Sequence, residues 1–195
     1  SLVVSTIRKV MERRGYLEVE TPMLQRVAGG AAARPFITHH NALESDFNLR
    51  ISLELELKRL IVGGYEKVFE IGRVFRNEGI DSEHNPEFTL MESYEAYANL
   101  EDVMDLVEDL YASAAVALYG EPTVPYGDSK IDLTPPWRRL PMLEGIEQYS
   151  GVKPEAFETL ESAQAALKEW DFRSKASTSS AESLKNCWNG SCNRT

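Results

Sequence analysis

Residues 69–98, FEIGRVFRNEGIDSEHNPEFTLMESYEAYA, constrain the fold more than any other stretch of the chain. Two runs that read as strands, roughly 67–76 and 87–97, flank a polar loop. In that loop Asn77-Glu78-Gly79 and His84-Asn85-Pro86 favour turns. Period-2 geometry puts Glu70, Gly72, Val74 and Arg76 on one face of the first strand. On the second, Phe88, Leu90, Glu92, Tyr94 and Ala96 share a face. A face carrying Arg, Phe, Glu and Tyr makes a poor apolar core but a good pocket floor. Arg offers a bidentate fork for phosphate or carboxylate, Phe a stacking plane, and Glu a partner for an ammonium group. Geometry alone leaves a second reading open, a hairpin whose polar face is simply solvated.

Helical and extended patterns surround this hairpin. Val3, Ile7, Val10 and Met11 recur at helical spacing within 2–14, and Gly15 stands where a C-terminal cap belongs. Tyr16 to Glu20 alternates like a half-buried strand that Pro22 stops. Gly29-Gly30 opens a turn before a short apolar strand around Phe36 and Ile37. Leu53, Leu57, Leu60 and Ile61 line one helical face before Gly63-Gly64, and Asn99 can cap a helix carrying Val103, Leu106, Val107, Leu110 and Ala114. Residues 130–134 read as a short strand and 155–169 as a helix. The order lacks a βαβ rhythm, so the expected class is α+β, an antiparallel sheet flanked by helices.

Composition narrows function by exclusion. The chain has 21 Lys+Arg against 31 Asp+Glu in 195 residues, a formal net charge of -10, which argues against a nucleic-acid binder held by bulk charge. No run approaches the ~18 apolar residues of a membrane span, and no signal-peptide pattern opens the chain, so a soluble intracellular domain is expected. Cys187 and Cys192 are the only cysteines, too few for a disulfide scaffold or a four-ligand zinc site. His39-His40 lacks a clustered carboxylate or Cys partner at metal-ligand spacing and is read as structural. The sequons at Asn189 and Asn193 are read as chance matches. The initial Ser1 is read as a cut edge rather than a natural start.

The segments FRNEG and HNPEFT, within 69–98, resemble motif 2 of the class II aminoacyl-tRNA synthetases in their lysyl form. MERRGYLEVETPML (11–24) resembles the end of motif 1, the helix-and-strand dimer element spanning about 5–24 here. GGAAARPFITHHNAL (29–43) and RISLELELKRLIVGG (50–64) resemble the lysine-pocket segments of that family. The resemblance covers residues 1 to about 172, as part of a class II catalytic domain. It implies that Arg76 touches the ATP α-phosphate and the amino-acid carboxylate, and is the catalytic residue. It further implies that Glu78, His84 and Asn85 hold the nucleotide and that Phe88 stacks on adenine. Gly30 and Glu54 would surround the substrate α-amino group, and Glu92 and Tyr94 would line the lysine pocket. The implied reaction is ATP-dependent activation of lysine to lysyl-adenylate, then transfer to tRNA(Lys) by a cytoplasmic homodimer. Mg²⁺ is implied too, with its ligands outside this sequence.

The sequence departs from the family in several places. The anticodon-binding domain, motif 3 and its second ATP-binding arginine are absent, so the chain is expected to be a fragment that cannot complete the site alone. Leu53 and Glu56 stand where the family usually has Pro and an aromatic residue, around the retained Glu54. Beyond residue 172 the chain becomes Ser-rich, with Ser at six of residues 173–195. Read one base out of frame, the codons of residues 186–189 force Leu, Leu and Glu, and 184–195 permit the family-like string EKLLERFLQPH. A frame shift near 170–180 is therefore expected. Two alternatives stay open at this level: a lysine ligase paralogue that modifies a protein such as elongation factor P, and a non-catalytic dimerising paralogue.

Overall fold

The computed structural model describes residues 1–177, with side chains as far as Trp170. Cys187, Cys192, both sequons and most of the Ser-rich tail lie outside the described residues. The chain divides into two compact units, Ser1–Trp137 and Arg138–Thr195. Together they hold five α-helices and eight strands among the described residues, a mixed α+β structure.

The first unit is built on the hairpin. Strands β5 (Lys67–Phe75) and β6 (Glu87–Glu95) pair antiparallel over their whole length, with Val74 opposite Phe88 and Glu70 opposite Glu92. Strand β1 (Leu17–Glu18) lies on the other side of β5, and this pair is parallel. The expected strand over 16–20 is thus only two residues of regular ladder, although the Val19 N–H still donates to the Phe69 carbonyl at 2.9 Å. Tyr16 drops out because its amide donates instead to the Met11 carbonyl at 3.0 Å; its ring is buried and its hydroxyl donates to Glu95 at 2.6 Å. Burial and that carboxylate push the Tyr16 phenol well above its usual range.

Each face of the sheet meets helices. Phe69, Ile71 and Met91 point to a core formed with Met11 of α1 (Leu2–Arg13) and Leu106 of α3 (Leu100–Tyr119). Asn99 caps α3 as expected, accepting from the Glu101 and Asp102 amides while Asp102 reaches back to the Asn99 amide. Arg13 and Arg14 of the α1 end bind Asp109 at 2.7 and 2.6 Å. They hold its carboxyl below the ordinary range despite the upward push of burial. The opposite face packs Val68, Val74, Phe88, Leu90 and Tyr94 on Leu53, Leu57 and Leu60, at the start and along α2 (Glu54–Val62). The face expected to be a pocket floor is therefore partly core, because α2 covers its apolar positions.

A second sheet orders β2 (Leu24–Gln25), β4 (Ser45–Leu49) and β3 (Ile37–His40), all antiparallel. His39 of β3 binds Asp46 at 3.0 Å, and His40 accepts from the Leu43 amide at 3.3 Å. A hairpin of β7 (Thr123–Tyr126) and β8 (Ser129–Asp132) follows α3. The periodicity around 130–134 marks only its second strand. The second unit contains α4 (Met142–Ser150), a 3₁₀ turn at Pro154–Phe157, and α5 (Leu160–Ser177). The single helix expected over 155–169 is thus a turn and a helix, parted where Thr159 and Ser162 bond each other's side chains and amides to start α5. No described helix is long and apolar enough to cross a membrane.

Within the first unit, one buried ion pair joins segments distant in sequence. The side chains of Arg50 and Glu70 are 1 % and 3 % exposed, and Arg50 Nη1 donates to Glu70 Oε1 at 2.7 Å. Arg50 also donates to the carbonyls of Arg73 at 2.7 Å and Thr21 at 2.9 Å, while the Thr21 hydroxyl donates to Glu70 Oε2 at 2.6 Å. A Cβ at position 72 would collide with this guanidinium and lie 2.8 Å from Glu70 Oε1, so Gly72 is what lets the pair sit against β5. Removing one partner strands the other charge in the interior. Arg50→Met should therefore cost about 3–5 kcal/mol in urea unfolding, and adding Glu70→Leu should recover much of it. A loss below about 1 kcal/mol for the single variant, in the range of an exposed pair, would contradict this account.

Candidate active site

Two groups of side chains gather along the α2-covered face of the hairpin. The first stands at the loop end. Arg76 follows the last residue of β5, and its amide donates to the Pro86 carbonyl at 2.8 Å, closing the loop. Its guanidinium carbon lies 5.2 Å from the centroid of the Phe88 ring, and Nε donates to the Ile51 carbonyl at 3.3 Å. The cation thus lies over an aromatic face and is tethered at one nitrogen, leaving its terminal fork for an anion. A cavity of about 310 Å³ opens here, lined by Arg76, Glu78, Glu83, His84, Asn85 and Phe88. All five residues read from the sequence as nucleotide-binding border this one cavity.

The loop is organised by Asp81, a residue that the sequence reading passed over. One of its oxygens accepts from the Glu83 and His84 amides, both at 2.8 Å, and from His84 Nδ1 at 2.8 Å. The amide bonds, led by that of Glu83, and the His84 ring hold the Asp81 carboxyl below its ordinary range. The same side-chain bond, with the charge of Asp81, raises His84 above the usual imidazole value. An Asp two residues before an exposed Glu-His step is an Asx-turn signal, and this was the trace available in the sequence.

The second group is acidic. Glu92 Oε1 accepts from the Ser52 hydroxyl at 2.6 Å and the Leu53 amide at 3.0 Å, and Oε2 accepts from the Tyr94 hydroxyl at 3.0 Å. Burial first, then the Glu92 carboxylate, push the Tyr94 phenol far above its usual range, so it remains a hydrogen-bond donor. Ser52 accepts from the Glu54 amide at 3.1 Å and so caps α2 in place of Leu53, whose side chain is buried in the core. This explains how Leu is accommodated before Glu54: its neighbour does the capping. Gly30 approaches the same place with φ +87°, and a Cβ there would lie 2.7 Å from Ser52 Oγ and 2.8 Å from Glu54 Cβ. Only glycine accepts both that backbone and that approach. Gly30, Glu54, Glu92 and Tyr94, separate in sequence, are thus brought together. From Phe88 to Tyr94 the two groups span about 20 Å of one strand face.

Sequence reasoning did not single out Ser52 and Asp81, which shape the candidate site, or Arg50, which anchors the segment before it. An isolated Arg before Ile-Ser carries no local sign that it will be buried. Among the described residues, no group of three or more His, Cys, Asp or Glu side chains is placed to hold a metal ion.

Comparison with known proteins now places the chain. A family model described as tRNA synthetases class II (D, K and N) matches residues 1–181, and the chain belongs to this family. It is 56 % identical over 167 residues to a lysine–tRNA ligase of Dehalococcoides mccartyi, covering 86 % of this chain and 34 % of that protein. It is 53 % identical over 175 residues to a lysine–tRNA ligase of Bacillus cytotoxicus, covering 90 % and 35 % respectively. A lysine–tRNA ligase of Moorella thermoacetica is 56 % identical over 164 residues, or 84 % of this chain and 34 % of that protein. The chain spans about a third of the length of these curated relatives.

The Asp81–His84 pair gives the loop a pH signature. His84 is raised on folding, so the pair's contribution is full below the ordinary His range and is lost as pH climbs through the raised value. The lowered Asp81 sets the acid limit, where the contribution is lost as the carboxyl protonates. An NMR titration should find the His84 midpoint above that of free histidine, and Asp81→Asn should bring it down. A native midpoint at or below the free value, unmoved by the variant, would contradict the arrangement.

Proposed function

We propose that the whole protein is a lysine–tRNA ligase, and that this chain carries the Arg76–Phe88 part of its adenylate site and the acidic part of its lysine pocket. The observation that carries this reading is the single strand face with a stacked arginine at one end and paired acidic groups at the other. ATP is anionic and lysine carries two ammonium groups, so such a face suits a bound pair of them. The names of the relatives, all lysine–tRNA ligases, support the same substrates.

In the proposed reaction a lysine carboxylate oxygen attacks the ATP α-phosphorus. The bond to the bridging oxygen breaks, pyrophosphate leaves with its electron pair, and lysyl-adenylate forms. The terminal ribose hydroxyl of tRNA(Lys) then attacks the acyl carbon and AMP leaves. Adenylation needs alignment and cationic stabilisation more than acid–base groups. Arg76 is suited to both, since Phe88 and the Ile51 carbonyl orient its fork. In this reading Phe88 also stacks on adenine, while Glu78, His84 and Asn85 hold the nucleotide. Gly30 leaves room for the α-amino group beside Glu54, and Glu92 and Tyr94 receive the lysine. The family also implies Mg²⁺; the described residues offer no ligand cluster that fits it, and the steps above use this chain's own side chains. We further propose pairing of two copies through the helix and strand of 5–24, and action in the cytoplasm.

Lysine-dependent exchange of pyrophosphate into ATP tests the reading on the whole protein. Arg76→Lys keeps the charge but loses the fork and the stack, and should lower exchange by about a hundredfold or more. A near-normal rate in that variant would remove Arg76 from the reaction.

A further inference from the structure

We propose that Lys58 is an internal competitor for the substrate's α-ammonium: it neutralises Glu54 in the free protein and must release that carboxylate before an amino acid can seat. The proposal rests on the lysine-site reading above and extends it to how the site is kept before substrate arrives.

Lys58 stands one turn beyond Glu54 on α2, and its Nζ lies 2.6 Å from Glu54 Oε1. The same ammonium is 5.8 Å from the centroid of the Tyr94 ring. It therefore already makes the two contacts that an incoming ammonium would seek there, a carboxylate and an aromatic face. Elsewhere on a helix such an i,i+4 pair would be an ordinary solvated one. Here its carboxylate belongs to the residue that Gly30 approaches, next to the Ser52–Glu92–Tyr94 chain of hydrogen bonds.

The surrounding charges single out Lys58. Arg50 is engaged by Glu70, Arg59 by Glu56 and Lys67 by Glu95. The bonds that Glu92 accepts come from neutral donors, Ser52, the Leu53 amide and Tyr94. The cluster thus holds two carboxylates, Glu54 and Glu92, and one resident ammonium, bound to Glu54, so it keeps an excess of negative charge to attract a cation. Lys58 can also leave cheaply. Its side chain is 57 % exposed, whereas its neighbour Leu57 is fully buried, so the ammonium can swing into water without disturbing the core. An exposed pair of this kind is worth little, and its displacement should weaken lysine binding by only about two- to fivefold.

Lysine titrations of this chain followed by NMR test the idea, using Lys58→Met, which keeps the apolar stem, and Lys58→Arg, which keeps the charge. Lys58→Met should bind lysine about two- to fivefold more tightly than the parent chain, with the gap closing as salt is added. Lys58→Arg should stay close to the parent. In the parent chain, the Lys58 side-chain resonances should shift on the same saturation curve as the Tyr94 ring. Equal or weaker lysine binding by Lys58→Met would overturn the proposal, as would silent Lys58 resonances while Tyr94 shifts. If lysine moves Tyr94 in neither the parent nor Lys58→Met, the lysine-site reading of this chain falls first and the competitor role falls with it. Binding by Lys58→Met alone would be the strongest support.

Discussion

The Arg50–Glu70 pair is the interaction on which the site's geometry hangs. Arg50 reaches across β5 to Thr21, at the end of the segment that follows β1, and thereby ties that segment to the hairpin. Its backbone does as much: the Arg50 amide donates to the Met23 carbonyl, and its carbonyl accepts from the Phe75 amide, both at 2.9 Å. The next two residues then serve the site. The Ile51 carbonyl holds Arg76, and the Ser52 hydroxyl holds Glu92 while capping α2. Three consecutive residues thus set the hairpin, the arginine and the acidic cluster in one frame. A buried ion pair of this kind contributes little net stability over a well-packed apolar replacement, but breaking it by halves is costly. Its value here is positional.

Much of this was legible in the sequence where the signal is local. The hairpin over roughly 67–76 and 87–97 is observed at Lys67–Phe75 and Glu87–Glu95, because strict alternation and a turn-rich loop leave few alternatives. Asn99 followed by Asp102 marks the start of α3 without tertiary help. Phe88, Glu92 and Tyr94 share a face because period 2 requires it. What alternation cannot say is what covers that face. The burial of Val68 and Val74 under α2, and of Leu53 at its start, depends on how distant segments meet. Likewise Arg50 reads as a surface residue until Glu70 and Thr21 are brought to it from 20 and 29 residues away. Helix α4 and strand β7 were missed because their runs are short, although Gly151 closes α4 as a left-handed cap. Residues 173–177, read as the start of an atypical tail, continue α5.

The electrostatics of the face complement the proposed substrates despite an acidic chain. At the loop end the cationic groups are a half-buried Arg76 and an exposed His84 favoured toward protonation, which match the phosphates of the proposed substrate. At the other end the Glu54 and Glu92 carboxylates offer acceptors for an ammonium, and Tyr94, whose hydroxyl donates to Glu92, adds an aromatic face. The formal charge of -10 therefore describes the surface as a whole and says little about this face. In the proposed reaction the two ends act on the same molecule only once lysine and the α-phosphate are joined.

A non-hydrolysable lysyl-adenylate analogue tests that joint face most directly. Titrated into this chain and followed by NMR, it should move the Phe88 and Tyr94 ring resonances together, along one saturation curve with one Kd. Shifts at only one end of the face, or two separate curves, would show that the stacked arginine and the acidic cluster do not form a single site.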